Sequence, residues 1–363
     1  VARNWGEQAM LIQAWHYAAP NYPYTCYDVL YRTPRQHVGG CLWHSFDHQR
    51  GYHPDPFYGG LMDVFRQPKY SYYMFQAQRS PKKQDRLFET GPMVYIAHEM
   101  TPFSPKDVTV YSNCDEVRLT YNKGGKSLTY TKPVSREGMP SPIITFKDVY
   151  NFMIDKNMSM KEGRQKEVFL LAEGLINGKV VATHKVCPAR RPSKLLLWID
   201  NENTELKADG SDFVTVIAAI ADKNGNIKRL NNYYVKFHIE GEGRILGGAN
   251  VLANPAPVKW GTAPILVQST LKPGKIKITA SVLFEGSQMP VSAELELESK
   301  PSAYPLIYAS EEAALIPMKS DSQSFPITAK SQKELEKEKA VKEQNERKLK
   351  EVEQQQADFG EKK

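Results

Sequence analysis

The chain has 363 residues, 41% of them hydrophobic, and a formal net charge of +7. This length exceeds what one hydrophobic core usually supports, so two or three domains are expected. No apolar run approaches the roughly 18 residues that span a bilayer as a helix. The positive charge is spread along the chain without a basic block, which excludes a nucleic-acid-binding patch.

The cysteines Cys26, Cys41, Cys114 and Cys187 are widely separated and form no CxxC pair. This spacing argues against a zinc site and against a disulfide framework. Because Cys41 lies in an apolar run, we expect its thiol to be a small buried side chain.

The first predicted element is a helix over residues 4–17 (NWGEQAMLIQAWHY), with Asn4 available as its cap. Its apolar side chains recur close to helical spacing at Trp5, Ala9, Leu11, Ile12 and Trp15. Three prolines, Pro20, Pro23 and Pro34, then interrupt any regular element.

Residues 39–76 hold the densest set of chemically informative side chains in the sequence. The apolar run 38–43 predicts a short buried strand, and residues 70–75 predict a helix that covers it. Glycines and prolines divide the segment between them, which indicates a loop ordered by turn chemistry. The polar side chains of this loop are His44, Asp47, His48, Gln49, Arg50, His53 and Asp55.

The remainder of the chain is predicted to be mainly β. Short alternating or apolar runs at 93–98, 107–111, 117–121, 143–146 and 168–175 are typical of a β-sandwich of about a hundred residues. Asn177 and Gly178 predict a two-residue hairpin turn. Residues 194–299 repeat the pattern, whereas 330–353 are strongly charged and predict a solvated helix or a disordered tail.

Several spaced motifs resemble the end of the catalytic barrel in glycoside hydrolase family 2, the family of β-galactosidases and β-glucuronidases. They are Trp43, the pair Phe46 and Asp47, residues 60–63 (GLMD) and residues 66–73 (RQPKYSYY). Residues 107–128 also resemble the β-sandwich that follows the barrel in this family. Residues 208–226 (ADGSDFVTVIAAIADKNGN) resemble bacterial immunoglobulin-like domains.

The resemblance implies a mainly β chain with four parts. Residues 1–85 are expected to be the C-terminal end of a (β/α)8 barrel, and residues 86–190 a β-sandwich. Residues 191–300 are expected to be an immunoglobulin-like β-sandwich, and residues 301–363 a linker and charged tail. The resemblance also implies an extracytoplasmic location in a bacterium, in the periplasm or at the cell surface, because proteins with this domain architecture are commonly exported.

Trp43 is the first candidate for substrate binding, because an indole at the end of a barrel strand can stack on the apolar face of a sugar. In the family the peptide bond after this Trp is often cis. His44, Asp47 and His48 are candidates for hydrogen bonds to sugar hydroxyls. For Asp47 the alternative is that it anchors the loop through backbone N–H groups.

Two further interpretations concern charged residues of the loop. A metal site formed by His44, Asp47 and His48 is disfavoured, because the four-residue His spacing suits a helix and this segment is not helical. Arg66 and Lys69 are expected to be structural, with Arg66 paired to a carboxylate beneath the loop.

Retaining glycosidases need two carboxyl groups about 5 Å apart, and in the family both are glutamates on earlier barrel strands. They are expected N-terminal to Val1, so no catalytic residue is assigned here, and Glu7, in the predicted helix, is not given the nucleophile role. The expected function is the C-terminal part of a retaining exo-glycosidase of β-galactosidase type. Such an enzyme requires no cofactor and acts on β-linked glycosides. The expected partner of this chain is the missing N-terminal part of the same protein. The alternative is a non-catalytic carbohydrate-binding or spacer module with immunoglobulin-like domains.

Overall fold

The computed structural model describes residues 6–18, 41–51, 56–82, 91–122, 126–131, 138–153, 168–200, 204–283 and 289–303. An N-terminal segment with two helices is followed by two pairs of β-sheets. None of the helices described in these ranges has the length and apolar character needed to cross a bilayer. The predicted charged tail at 330–353 lies outside the described residues.

The N-terminal segment contains helix α1 (Glu7–Ala18) and helix α2 (Tyr70–Gln76), as predicted. Their shared core includes Met10, Ala14, Tyr70 and Met74, and it continues onto the first sheet pair.

Helix α1 does not bury the face that its apolar pattern indicated. Ile12 and Trp15 are 49% and 44% exposed, whereas Glu7 and Gln13 are buried. The reason is that both buried polar side chains have hydrogen-bond partners far along the chain, Gly60 for Gln13 and Glu99 for Glu7, which offsets the cost of removing them from water. Asn4, the predicted cap, lies outside the described residues.

The strand predicted at 38–43 is not found in its described part, residues 41–43. The described residues of this region, 41–51 and 56–69, form only isolated bridges, such as those joining Phe46 to Met62 and His48 to Phe57. A strand is defined by a continuous ladder to a neighbour, and no described segment provides such a ladder here. Consistent with this, Cys41 is exposed, so its predicted burial is wrong.

The first sheet pair contains strands β1 to β7. Their bounds are β1 (Val94–Ala97), β2 (Val108–Ser112), β3 (Glu116–Tyr121), β4 (Lys126–Thr131), β5 (Ile144–Phe146), β6 (Leu170–Ile176) and β7 (Lys179–Val186). One sheet has the order β1-β2-β5 and the other β4-β3-β6-β7. A single core, with Ile96 and Val110 from one sheet and Leu119 and Ala172 from the other, lies between them.

Strands β6 and β7 form the predicted hairpin. Asn177 and Gly178 both have positive φ, 52° and 73°, which is the requirement for the tight primed turn that Asn-Gly favours. The sequence pattern thus identified this turn correctly.

The second sheet pair contains strands β8 to β16 and one short 3₁₀ helix (Ala249–Val251). The strands are β8 (Lys194–Asp200), β9 (Lys207–Ala208), β10 (Phe213–Ala221), β11 (Tyr234–Gly241), β12 (Gly243–Ile245), β13 (Ala256–Pro257), β14 (Thr262–Ser269), β15 (Gly274–Val282) and β16 (Ala293–Pro301). The sheet orders are β12-β14-β10-β8 and β13-β11-β15-β16-β9. Strand β10, apolar except for Thr215, is buried from Val214 onward, and β15 alternates between core and surface, as central and half-buried strands do.

The chain is therefore mainly β, as predicted. The strands lie within the predicted spans 86–190 and 191–300 except for the last residue of β16, Pro301. The domain boundaries, the barrel end and the immunoglobulin-like topology stay predictions.

Candidate functional site

The candidate site is the segment between the two helices, here called the site loop and defined as residues 41–51 and 56–69. Trp43 stands at its surface with 79% of its area exposed. The peptide bond between Trp43 and His44 is cis, as the family resemblance implied. The indole face is thus open to a ligand and is not packed into a core.

An aromatic cluster lies beside Trp43 and is centred on Phe57. The ring centroids of His44 and His48 are 5.2 and 5.5 Å from that of Phe57, and 4.0 Å from each other. The Arg50 guanidinium carbon lies 3.9 Å from the Phe57 centroid, within the range of a cation–π contact. The sequence analysis overlooked Phe57, although an aromatic residue between Pro56 and a Gly pair is a signal for a loop anchor.

Asp47 anchors the site loop from below. Its Oδ1 accepts hydrogen bonds from the Gly60 N–H at 2.9 Å and from Lys69 Nζ at 2.6 Å, and Lys69 Nζ also donates to the Tyr58 carbonyl at 3.1 Å. Burial raises the pKa of Asp47, and Lys69 and the Gly60 N–H act against that rise. Asp47 therefore anchors the loop through Oδ1, as the alternative interpretation of this residue proposed.

Gly60 lets two backbone segments of the loop touch. A Cβ at this position would lie 2.3 Å from the Phe46 carbonyl carbon and 2.3 Å from the Asp47 nitrogen. The Asp47 N–H donates to the Met62 carbonyl at 2.9 Å, and the Met62 N–H donates to the Ser45 carbonyl at 3.0 Å. A side chain at Gly60 would separate these segments and displace the residues that follow Trp43.

Helix α1 supports the other side of the loop. Gln13 Nε2 donates to the Gly60 carbonyl at 2.9 Å and Tyr17 Oη donates to the Gly59 carbonyl at 2.6 Å. The Ser71 hydroxyl of α2 donates to Gln13 Oε1 at 2.9 Å. Sequence reasoning missed Gln13 and Tyr17, because partners 42 to 47 residues away in sequence leave no local pattern.

Asp63 orders the turn that leads into α2. Its Oδ1 accepts from the backbone N–H groups of Phe65 and Gln67, each at 2.8 Å. Burial raises the pKa of Asp63 to about 6, against the lowering effect of these hydrogen bonds.

Arg66 pairs with a carboxylate, as predicted: its Nε lies 3.9 Å from Asp200 Oδ2 of β8, and the Arg66 side chain is half exposed. Lys69 forms a second, buried pair with Asp47, with side-chain exposures of 3% for Lys69 and 2% for Asp47. The structural role expected for Lys69 is the one observed.

The site loop concentrates polar atoms that lack partners. Six buried side-chain atoms of the described residues make no hydrogen bond, and four of them belong to His44 (Nδ1 and Nε2), Asp47 (Oδ2) and His48 (Nδ1). Burial, followed by the charges of His48 and Arg50, lowers the pKa of His44, so its ring is neutral near pH 7 and can donate and accept.

These atoms suit a ligand with several hydroxyl groups, since each orphaned buried polar group costs about 1–3 kcal/mol until it is satisfied. The predicted site residues Trp43, His44, Asp47 and His48 thus lie in one structural unit. Within the described ranges, no three His, Cys, Asp or Glu side chains converge as metal ligands would.

Comparisons with known proteins agree on one family. A family model described as glycoside hydrolase family 2 C-terminal domain 5 matches residues 197–283, within the second sheet pair. A β-galactosidase of Thermoanaerobacter pseudethanolicus is 32% identical over 73% of this chain and 34% of its own length. A β-galactosidase of Bacteroides ovatus is 28% identical over 67% of this chain and 27% of its own length.

A solved β-glucuronidase of glycoside hydrolase family 2 has a similar fold, with a TM-score of 0.57 and 20% sequence identity. The match covers 84% of this chain and 29% of that one. This chain therefore spans about a third or less of the length of the proteins it resembles.

Proposed function

We propose a function from the premise that this chain belongs to glycoside hydrolase family 2, as a C-terminal part of such a protein. In the complete protein, the site loop forms one wall of the sugar pocket of a retaining exo-glycosidase of β-galactosidase type. The substrate is a β-linked glycoside.

One observation carries the proposal: an indole that is 79% exposed stands beside four buried polar atoms that have no partner among the described residues. A sugar ring offers an apolar face for Trp43 and hydroxyl groups for His44, His48 and Asp47. The buried ion pair of Asp47 with Lys69 holds the loop rigid, so that these groups are in place before the sugar arrives.

Catalysis requires residues that the site loop does not provide. Retention needs a nucleophilic carboxylate and a carboxylic acid about 5 Å apart. The described carboxylates of the loop, Asp47 and Asp63, are held by Lys69 or by backbone N–H groups. We assign the acid and the nucleophile to glutamates of the preceding part of the protein, and to this chain the binding and orientation of the sugar.

The same premise supports three finer assignments of fold. Residues 1–85 are assigned to the end of a (β/α)8 barrel, supported by the two described helices that flank the site loop and by the motif at 66–73. The second sheet pair corresponds to an immunoglobulin-like domain, supported by the family model that matches it. The first sheet pair is assigned as a β-sandwich of the same general kind.

The decisive experiment is Trp43→Ala in the complete protein, assayed with nitrophenyl glycosides. We expect kcat/KM to fall roughly tenfold or more, because a lost stacking contact of about 1.4 kcal/mol is a factor of ten. Trp43→Phe should retain part of the activity. Phe213→Ala, which removes an exposed aromatic ring from β10, should leave kcat/KM unchanged.

The alternative function is a non-catalytic carbohydrate-binding or spacer module, which the exposure of Trp43 on this chain by itself also favours. It predicts that Trp43→Ala alters glycan binding by the isolated chain while turnover in the complete protein is unaffected. Unchanged turnover would therefore reject the pocket-wall assignment.

A further inference from the structure

Glu99, two residues after β1, is the point at which three parts of the chain meet. Its backbone N–H donates to Glu7 Oε1 of α1 at 2.8 Å, and Tyr70 Oη of α2 donates to its Oε1 at 3.1 Å. From the second sheet pair, Arg229 Nε donates to Glu99 Oε2 at 3.0 Å. Arg229 also binds the carbonyl of Trp260, whose side chain packs on the N-terminal core.

Glu7 occupies an unusual position in this junction. It is the first residue of α1 and only 5% exposed. One carboxyl oxygen faces the Glu99 N–H and the other accepts from the Ser104 hydroxyl. The nearby cation, Arg229, is paired with Glu99, so the Glu7 carboxyl is buried without a direct counter-charge among the described residues.

We propose that Glu7 is a pH-responsive clamp, which in its protonated form holds the start of α1 against the segment 99–104 and in its ionised form releases it. The groups that face it are Ser104 and Glu99 from that segment, Arg229 from the second sheet pair, and Tyr70 of α2 through Glu99. The protonated acid keeps the bond from the Glu99 N–H at one oxygen, and its other oxygen can donate to the Ser104 hydroxyl, so both neighbours stay bonded to a neutral group. The ionised acid places a charge in the core beside the Glu99 carboxylate.

The electrostatics of the junction determine in which direction the Glu7 contacts change with pH. Burial raises the pKa of Glu7 from 4.5 to about 7, against the hydrogen bonds of Ser104 and Glu99, which lower it. For an acid whose pKa is raised in the closed state, closure is favoured at low pH and weakens as pH rises. The clamp therefore loosens between about pH 4.5 and 7 and changes little above that.

Helix α1 connects this clamp to the site loop. Two turns beyond Glu7, Gln13 and then Tyr17 hold the carbonyls of Gly60 and Gly59. Release at Glu7 frees the N-terminal end of the helix that supports the loop. The clamp itself does not depend on the proposed sugar site, and it can be measured on this chain alone.

Hydrogen exchange of peptides covering 99–104 tests the proposal, with rates corrected for the intrinsic effect of pH. In the wild type, the opening equilibrium should rise up to about tenfold per pH unit between pH 5 and 7 and then level off. Glu7→Gln keeps both contacts as a neutral side chain, so its protection should not fall as pH rises over this range; the Met100 amide is left out because it donates to His98 Nδ1, which titrates. Glu294→Gln, at an exposed ion pair on β16, should behave as the wild type.

A second variant keeps the test informative if Glu7→Gln folds poorly. Ser104→Ala removes a donor that favours the charged form, so the pH at which exchange levels off should move upward by a measurable fraction of a unit. Wild-type exchange at 99–104 that does not depend on pH, or equal pH dependence in the wild type and Glu7→Gln, would overturn the proposal.

Discussion

The side chains of the site loop owe their positions to a buried charge pair. Asp47 and Lys69 are almost fully enclosed and their charged atoms are 2.6 Å apart. Burial lowers the pKa of Lys69, while Asp47 acts to raise it again. Removing one member of such a pair leaves an uncompensated charge, whereas removing both leaves only a packing defect.

We therefore expect Lys69→Met to destabilise the N-terminal segment by about 3–5 kcal/mol, the usual cost of stranding a buried charge. The Gly60 amide, which donates to Asp47, is a local probe, and its hydrogen-exchange protection at pH 7 should fall accordingly. Lys147→Met breaks its pair with Asp107, which is of nearly the same length, 2.7 Å, and in which the lysine is 74% exposed. This control substitution should lower the free energy of unfolding by only about 0–1 kcal/mol. An equal loss of stability in the two variants would contradict the prediction.

Local sequence patterns identified some residues of the site and not others. Trp43, His44, Asp47 and His48 could be selected because they cluster within six positions and match a family motif. Gln13 and Tyr17 could not, since their contacts join positions more than 40 residues apart. Whether Asp47 anchors the loop or contacts a sugar also could not be decided from the sequence. The structure shows that Lys69 binds Oδ1 of Asp47 and leaves Oδ2 without a hydrogen-bond partner among the described residues.

At the scale of elements, the strands of the two sheet pairs were predicted well, whereas the buried face of helix α1 and the strand before the site loop were not. Alternation along β15 and the Asn-Gly turn after β6 are local signals, and both are found. The buried face of α1 was misjudged because Glu7 and Gln13 are inside through hydrogen bonds to distant partners. The strand predicted at 38–43 is absent from its described part, residues 41–43, for a related reason, since an apolar run needs a neighbouring strand to form a ladder.

A side chain connects the edges of the two sheets of the first pair. His184 of β7 accepts a hydrogen bond from the Ile96 N–H of β1 through Nδ1 at 3.0 Å. Its ring stacks on Tyr95, centroids 4.6 Å apart, and Tyr95 stacks on Tyr73 of α2 at 3.6 Å. Because Nδ1 acts as an acceptor, this contact requires the unprotonated nitrogen.

Acidification should break this contact. Burial lowers the pKa of His184 below its ordinary 6.5, so the folded form binds a proton less readily than the unfolded chain. The stability that His184 provides is therefore complete above pH 6.5 and is lost as pH falls below it. Exchange of the Ile96 amide, corrected for intrinsic rate, should accelerate between pH 6.5 and 5.

Two variants check the prediction for His184. His184→Asn, whose side-chain oxygen can accept the same bond without titrating, should remove the acceleration at Ile96. His238→Asn changes an exposed histidine of β11 and should leave it intact. An Ile96 amide that exchanges equally at pH 5 and 7 in the wild type would show that the contact does not govern this edge.

At the scale of the whole molecule, two contacts near the junction of the three parts respond to pH in opposite directions. Glu7 joins α1 to the segment 99–104, and His184 joins the two sheets of the first pair. The Glu7 contact is strongest in acid, whereas the His184 contact is strongest above pH 6.5. Both lie near Glu99, which influences each of them. As pH rises toward 6.5, the Glu7 contribution therefore weakens while the His184 contribution strengthens, so the two partly offset each other in that range.

The last prediction concerns the chain as one part of a larger enzyme. Because the proposed acid and nucleophile lie in the preceding part of the protein, this chain alone should not hydrolyse nitrophenyl β-galactoside. Co-expression with that preceding part should restore turnover, since the site loop supplies only binding groups. Asp47→Asn combined with Lys69→Met should reduce the restored activity more than Lys147→Met does. Hydrolysis by this chain alone, or full activity of the preceding part without it, would show that the pocket is not divided in this way.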